Sequence, residues 1–214
     1  MVLAGGRAER LGTPKPGLVV AGRPLLEHAL AATSGARATV VVGPADLADP
    51  TVGPARYLLT REDPPFGGPA AGIAAGLAAL PADAAAPWVL VLACDVPQAA
   101  DAVPLLLAAA AGSDTDATGD RVDAVRAVRD GRDQWLVGLY RRDALDAAVA
   151  RLRAAGGVDG APAHRLLGAL PARTVDDAAG LTDDVDTWQD AHEHDRRAGT
   201  DRAADATPED RRPR

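Results

Sequence analysis

A single lysine, Lys15, closes a glycine-rich opening that reads Leu3-Ala4-Gly5-Gly6-Arg7-Ala8-Glu9-Arg10-Leu11-Gly12-Thr13-Pro14-Lys15. The other 22 of the 23 Lys and Arg residues are arginines. Where composition favours arginine this strongly, a lone lysine marks a position that wants a compact ammonium and not a broad guanidinium. Phosphate oxygens in a glycine loop are such a setting, because backbone N–H groups surround the anion and an ammonium adds a mobile point charge. The alternative is a chance surface lysine, and the neighbouring residues weigh against it. Gly5-Gly6 allows close approach of backbone to ligand, and Arg10 and Lys15 sit at spacings that can reach a polyphosphate. A second candidate is Asp95, within Leu92-Ala93-Cys94-Asp95-Val96-Pro97. It follows a run of apolar residues, where open α/β sheets bind ligands at strand ends, and Mg²⁺ is usually held by one or two carboxylates plus substrate phosphates. An aspartate opening a turn before Pro97 is the competing reading. Cys94 reads as a small buried neighbour, not a nucleophile.

These residues need strands and helices to position them. Val2-Leu3-Ala4 is a strand of three or four residues ahead of the glycines, short for a central strand, so either the true start lies upstream or a neighbour compensates. Leu18 to Arg23 reads as a short extended segment and turn, and Pro24 opens a helix through about Thr33. Ala38 to Val42 is a buried strand, and Tyr57-Leu58-Leu59 is another, short one. Arg61 to Pro69 is too rich in Pro and Gly to be regular, and Ala70 to Leu80 is a helix apolar on every side, which implies burial. Trp88 to Ala93 is the clearest strand. A helix covers about Ala102 to Ala111. Asp123 to Val128 and Gln134 to Tyr140 form a hairpin across Asp130-Gly131-Arg132-Asp133. Helices near Asp143 to Ala155 and His164 to Leu170 precede a short strand at Ala172 to Val175. The alternation, with a late hairpin, predicts an α/β domain whose sheet is mostly parallel.

Composition narrows the function classes. At 214 residues with 47% hydrophobic residues, the chain is long enough for a substantial core, but only 3% are aromatic, so Ala, Val and Leu must build it. A net charge of -7 without a visible basic patch disfavours nucleic-acid binding. One cysteine excludes an internal disulfide or a cysteine metal cluster. The sequence shows no signal-peptide pattern and no apolar run of the ~18 residues that a membrane span requires, so a cytoplasmic protein is expected. Gly5-Gly6 with Gly12 does not supply the G-x-G-x-x-G of a dinucleotide-binding turn. From His192 to Arg214 the chain holds six acids, six arginines and no apolar residue larger than Ala apart from two prolines, which predicts a disordered, charged tail.

Leu3-Ala4-Gly5-Gly6, Arg10-Leu11-Gly12 and Lys15 together resemble the L-A-G-G-x-x-x-R-M-G-x-x-K signature of nucleotidyltransferases, most closely that of the MobA-like molybdenum cofactor guanylyltransferase family. Gly68-Pro69-Ala70-Ala71-Gly72 resembles the family's G-P-L-A-G segment, and Leu92 to Pro97 its strand-end C-D-x-P. The resemblance implies a Rossmann-like α/β nucleotidyltransferase domain over residues 1–191, with a mostly parallel three-layer sheet and some antiparallel pairing, followed by the tail at 192–214. It implies Mg²⁺-dependent transfer of GMP from GTP to a molybdopterin-type phosphorylated acceptor. Leu3, Ala4, Gly5, Gly6 and Lys15 would bind the triphosphate, Arg10 and Lys15 would neutralise the departing pyrophosphate, Gly68 would lie beside the guanine, and Asp95 would hold the metal. Asp63 is similar to the family's nucleotide-contacting aspartate, with Glu62 as the competing choice. Asp184-Val185-Asp186-Thr187-Trp188-Gln189-Asp190 resembles the family's N-x-N-T-P-E-D stretch with aspartates in place of asparagines; either acid could approach the metal, and a helix cap at Asp186 is an equal reading. The pattern is broken in places. Gly43-Pro44 stands where relatives carry an asparagine, Pro14 replaces a frequent acid, and Ala70 replaces Leu. A cytidylyltransferase, whose opening is more often A-A-G, and a non-catalytic nucleotide-binding protein of the same fold are the rival readings.

Overall fold

The apolar runs of the sequence become one sheet with helices on both faces. A computed structural model describes residues 1–6, 11–48, 57–81, 86–112, 114–116 and 119–205. Within them the strands are β1 (Val2–Leu3), β2 (Val19–Val20), β3 (Arg23–Pro24), β4 (Val40–Val42), β5 (Leu58–Thr60), β6 (Trp88–Ala93), β7 (Ala124–Arg129), β8 (Arg132–Arg141) and β9 (Ala172–Asp176). The helices are α1 (Leu25–Ala32), α2 (Gly68–Ala79), α3 (Ala99–Ala110), α4 (Arg142–Ala154), α5 (Ala163–Leu167) and α6 (Trp188–Asp205). Seven strands lie in the order β5-β4-β1-β6-β8-β7-β9, while β2 and β3 form a separate antiparallel pair. Four of the sheet's neighbour pairs are parallel and the two involving β8 are antiparallel, which is the mixed, mostly parallel sheet expected.

Strand β1 is only two residues long, yet it lies between two parallel neighbours. Val2 pairs with Val41 on one side and Leu92 on the other and is fully buried, so β4 and β6 compensate for its length. The hairpin turns at Asp130 and Gly131, both left-handed with φ 48° and 72°, the backbone that two-residue hairpin turns favour.

One face of the sheet is covered by α2, α4 and α5, whose Ile73, Leu145, Leu152 and Leu167 pack with Val40, Val42, Val89, Val91 and Tyr140. On the other, α3 and the end of α1 pack over Leu92, Val125, Val137 and Leu139. Helix α2 lies close on the strands because it carries glycine at the contact: a Cβ on Gly76 would sit 2.8 Å from Met1 Sδ and 3.1 Å from a Val42 methyl.

Two expectations are corrected. Pro24 does not open α1 but ends β3, and the helix starts at Leu25. The boundary expected at residue 192 falls inside α6, which runs from 188 to 205 with Ala191 3% and His194 6% exposed. Small residues, not large apolar ones, let that helix dock, and its Asp195 carboxylate accepts the Ala21 N–H at 2.5 Å in the β2–β3 turn.

Candidate active site at the carboxyl ends of the central strands

β1 and β6 are parallel neighbours in register, Leu3 beside Ala93, so whatever follows each strand emerges side by side at one edge of the sheet. After β1 comes Ala4-Gly5-Gly6; after β6 comes Cys94-Asp95. The ladder continues one step beyond the strands, with Ala4 N–H donating to the Val42 carbonyl at 2.8 Å and Cys94 N–H to the Leu3 carbonyl at 3.0 Å. The glycine loop and Asp95 therefore leave the sheet from fixed positions, with Gly5 and Gly6 exposed.

Lys15 starts a single 3₁₀ turn through Gly17, closed by the Leu18 N–H on the Lys15 carbonyl at 3.0 Å. Its ammonium reaches back over the strand ends and donates to Asp95 Oδ2 at 2.6 Å and to Asp186 Oδ1 at 2.5 Å. Partial burial works against that charge, and the two carboxylates outweigh it, holding the ammonium above its ordinary pKa.

Asp186 arrives from the far end of the chain. Val185 is fully buried among Leu11, Leu18, Val20, Leu25 and Ala191, and its N–H donates to the Asp95 carbonyl at 2.9 Å, which pins the 184–186 segment against the end of β6. Thr187, not Asp186, caps α6: its Oγ1 accepts the Asp190 N–H at 3.2 Å, and Asp190 Oδ2 accepts the N–H groups of Thr187 at 2.7 Å and Asp186 at 3.0 Å. This reciprocal pattern is a capping box. It places Asp186 one residue ahead of the cap, turned toward Lys15.

Asp95, Asp184 and Asp186 each offer one carboxylate oxygen within 4.8 Å of the others. Partial desolvation first, and then the negative charges of Asp95 and Asp186, raise the pKa of Asp184. Three hard oxygen donors at this separation could hold a divalent cation, and the Lys15 ammonium already offsets the like charges of two of them. Cys94 is buried, and burial followed by the Asp95 charge raises its thiol far above the ordinary range, which suits a packing residue and not a thiolate nucleophile.

A cavity of about 630 Å³ opens in front of these groups, within the size range of small-molecule sites. Of the residues expected from the sequence, Leu3, Ala4, Gly5, Gly6, Lys15, Gly68 and Asp95 all line it. Asp63 does not: it is exposed on the loop before α2, and its neighbour Glu62 lines the cavity instead. The alternation of the chain after β5 turns Glu62 toward Gly5, whose Cβ position is 3.7 Å from Glu62 Oε1. Arg10 lies outside the described residues. Gly68, Pro69 and Gly72 at the start of α2 also line the cavity. Gly68 is left-handed at φ 83°, and Ala70 N–H donates to the Ala161 carbonyl at 3.3 Å. Phe66, Leu136 and Asp186 also line the cavity, and motif reading singled out only the last of these.

Residues 1–174 match the family described as "MobA-like NTP transferase domain". A probable molybdenum cofactor guanylyltransferase of Bacillus cereus is 28% identical over 156 residues, 72% of each chain. A molybdenum cofactor guanylyltransferase of Pseudomonas paraeruginosa is 35% identical over 113 residues, 52% of this chain and 55% of the relative. Among solved structures, molybdopterin-guanine dinucleotide biosynthesis protein A from Archaeoglobus fulgidus superposes with a TM-score of 0.64 at 20% identity, over 93% of this chain and 97% of that one. The 2-C-methyl-D-erythritol 4-phosphate cytidylyltransferase of Thermus thermophilus superposes with a TM-score of 0.60 at 23% identity, over 92% and 98%. These structural likenesses establish the shared α/β fold.

Proposed function

The chain belongs to the MobA-like NTP transferase domain family, and from that premise we propose that this nucleotidyltransferase is a guanylyltransferase that moves GMP from GTP to the phosphate of a molybdopterin-type acceptor. In the reaction a phosphate oxygen of the acceptor attacks the α-phosphorus of GTP. A new P–O–P bond forms, the bond between the α-phosphorus and the bridging oxygen breaks, and pyrophosphate carries away the electron pair. Such transfers are catalysed chiefly by positioning and charge stabilisation, so no covalent nucleophile is required.

The observation that carries this reading is that Lys15, Gly5, Gly6, Asp95, Gly68 and Pro69 line one cavity, with Lys15 bonded to Asp95. The exposed Gly5 and Gly6 would offer backbone N–H groups to phosphate oxygens, and the Lys15 ammonium would neutralise charge that develops on the leaving group. Arg10, in the same glycine-rich stretch of the sequence, is proposed to share that task. Asp95, with Asp186 and Asp184 beside it, would hold Mg²⁺, which when bound supplies positive charge against the phosphoryl oxygens. Gly68 and Glu62, which also line the cavity, would lie beside the nucleoside. No described helix is long and apolar enough to cross a membrane.

A melting series with GTP, CTP, ATP and UTP, each with Mg²⁺, tests the assignment, because occupancy stabilises the native state in proportion to ln(1 + [L]/Kd). The largest shift is expected with GTP. A larger shift with CTP would replace the guanylyl reading with a cytidylyl one.

A further inference from the structure

Phe66 is the single phenylalanine of a chain poor in aromatics, and it is 53% exposed at the cavity wall. Its backbone is left-handed at φ 65°. A bulky residue pays a steric cost there that glycine avoids, and such outliers concentrate where a ligand is gripped. The two residues that follow are glycines, so a glycine at 66 would suit the local backbone better than the residue present. Burial does not account for the ring either, since half of it faces solvent. The conformation is fixed from below: Phe66 N–H donates to Glu62 Oε1 at 3.0 Å. The Arg61 guanidinium lies over the ring 5.1 Å from its centroid, a cation–π contact.

We propose that Phe66 is the stacking platform for the nucleobase of the donor triphosphate, with Glu62 as the positioning residue that holds its amide. This deepens the nucleotidyltransferase reading and rests on it. With the phosphates held near Gly5, Gly6 and Lys15, the base would occupy the rest of the cavity, which Phe66 and Gly68 also line. Every base has a π-face, so Phe66 supplies affinity for the nucleoside half and overlaps a purine more than a pyrimidine; the choice of guanine over adenine falls to hydrogen-bonding groups elsewhere in the cavity.

Calorimetric titration of the wild type, Phe66→Gly and Phe66→Tyr with GTP and Mg²⁺, with CTP and Mg²⁺, and separately with inorganic tripolyphosphate and Mg²⁺, tests this. Phe66→Gly relieves the left-handed strain, so its ligand-free melting temperature should be no lower than wild type. Its affinity for GTP should fall about tenfold or more, while tripolyphosphate, which has no base, binds all three proteins alike and Phe66→Tyr keeps wild-type affinity for GTP. A Phe66→Gly protein that binds GTP as tightly as wild type overturns the stacking role, as does equal weakening of GTP and tripolyphosphate. CTP binding more tightly than GTP, with the Phe66→Gly loss intact, overturns only the guanylyl assignment.

Discussion

The ammonium of Lys15 lies 2.6 Å from Asp95 Oδ2, joining the end of the glycine-rich opening to the end of the central strand β6. The same nitrogen meets Asp186, so one cation ties three separate parts of the chain together at the cavity edge. Its side chain is 19% exposed and that of Asp95 17%, between a surface pair and a fully buried one. Lys15→Ala should therefore cost about 1 kcal/mol, or a fall of roughly 2–4 °C in melting temperature. GMP transfer should slow by at least about tenfold, and by roughly 10²–10³ if Lys15 contributes as much as one oxyanion-stabilising donor. Wild-type turnover in Lys15→Ala would remove the lysine from the phosphate site.

Asp95 and Asp186 hold the same lysine but differ in their surroundings, which allows their roles to be separated. Asp95 follows a buried strand, whereas the Asp186 side chain is 45% exposed ahead of α6. Asp95→Asn keeps size and some hydrogen bonding, so stability should stay near wild type while turnover drops by orders of magnitude, with partial recovery in high Mg²⁺ or Mn²⁺. Asp186→Asn, which restores the residue of the family's pattern, should lose far less. Full activity of Asp95→Asn at ordinary Mg²⁺ would end the metal role proposed for it.

Much of the site was legible before the fold because its parts are local. Leu3 to Gly6 and Leu92 to Asp95 each announce a strand followed by a turn, and parallel strand ends then bring them together. Lys15 and Asp186 are 171 positions apart, and nothing in their spacing says that they touch; the buried Val185 and its bond to the Asp95 carbonyl make that contact. Glu62 and Asp63 could not be separated by pattern, since which of two adjacent carboxylates faces the cavity depends on how the loop turns. Phe66 carried no periodic signal at all. For α6, charge and the lack of large apolar residues suggest disorder, but Thr187 and Asp190 form a capping box, and the small Ala191 fits against the large apolar residues Leu11, Leu18, Val20, Leu25 and Val185, with His194 buried beyond it.

Gly43, which with Pro44 breaks the resemblance to the family pattern, has a packing role in the structure. A Cβ there would sit 2.8 Å from Leu47 Cδ1 and 3.2 Å from the Ala4 carbonyl oxygen. Leu47 can move aside, but Ala4 is backbone at the root of the glycine loop. Gly43→Ala should destabilise by about 1–3 kcal/mol through overpacking, and GTP titration should show weaker binding because the loop shifts. A variant as stable and as tight in binding as wild type would mean that the strand ends give way freely.

Ending the chain after Ala191 would remove most of α6, including the buried His194 and the Asp195 carboxylate that accepts the Ala21 N–H. The capping box would then have almost no helix to start, and Val185 would lose a packed neighbour in any helix that frayed back to Ala191. The truncated protein should melt several degrees lower and bind nucleotide less tightly, as Asp186 loses its anchorage. Differential scanning calorimetry of the two lengths measures this, and equal melting temperatures would show that α6 adds nothing to the domain.

His194 gives stability a pH dependence of defined sign. Burial first, and then the nearby Arg197 charge, lower its pKa below 6.5, against the opposing pull of Asp183, Asp190 and Glu193. The folded chain therefore resists protonation at this site, while an unfolded histidine takes up its proton near pH 6.5. Between the folded and unfolded values the unfolded state binds more protons, so stability rises with pH there. The contribution is fully present above about pH 6.5 and is lost as pH falls toward the lower folded value. Urea unfolding at pH 7.5 and at pH 5.5 should show a larger stability difference for wild type than for His194→Gln, which cannot titrate. Equal differences for the two proteins would place the imidazole in contact with water and separate α6 from the domain at that position.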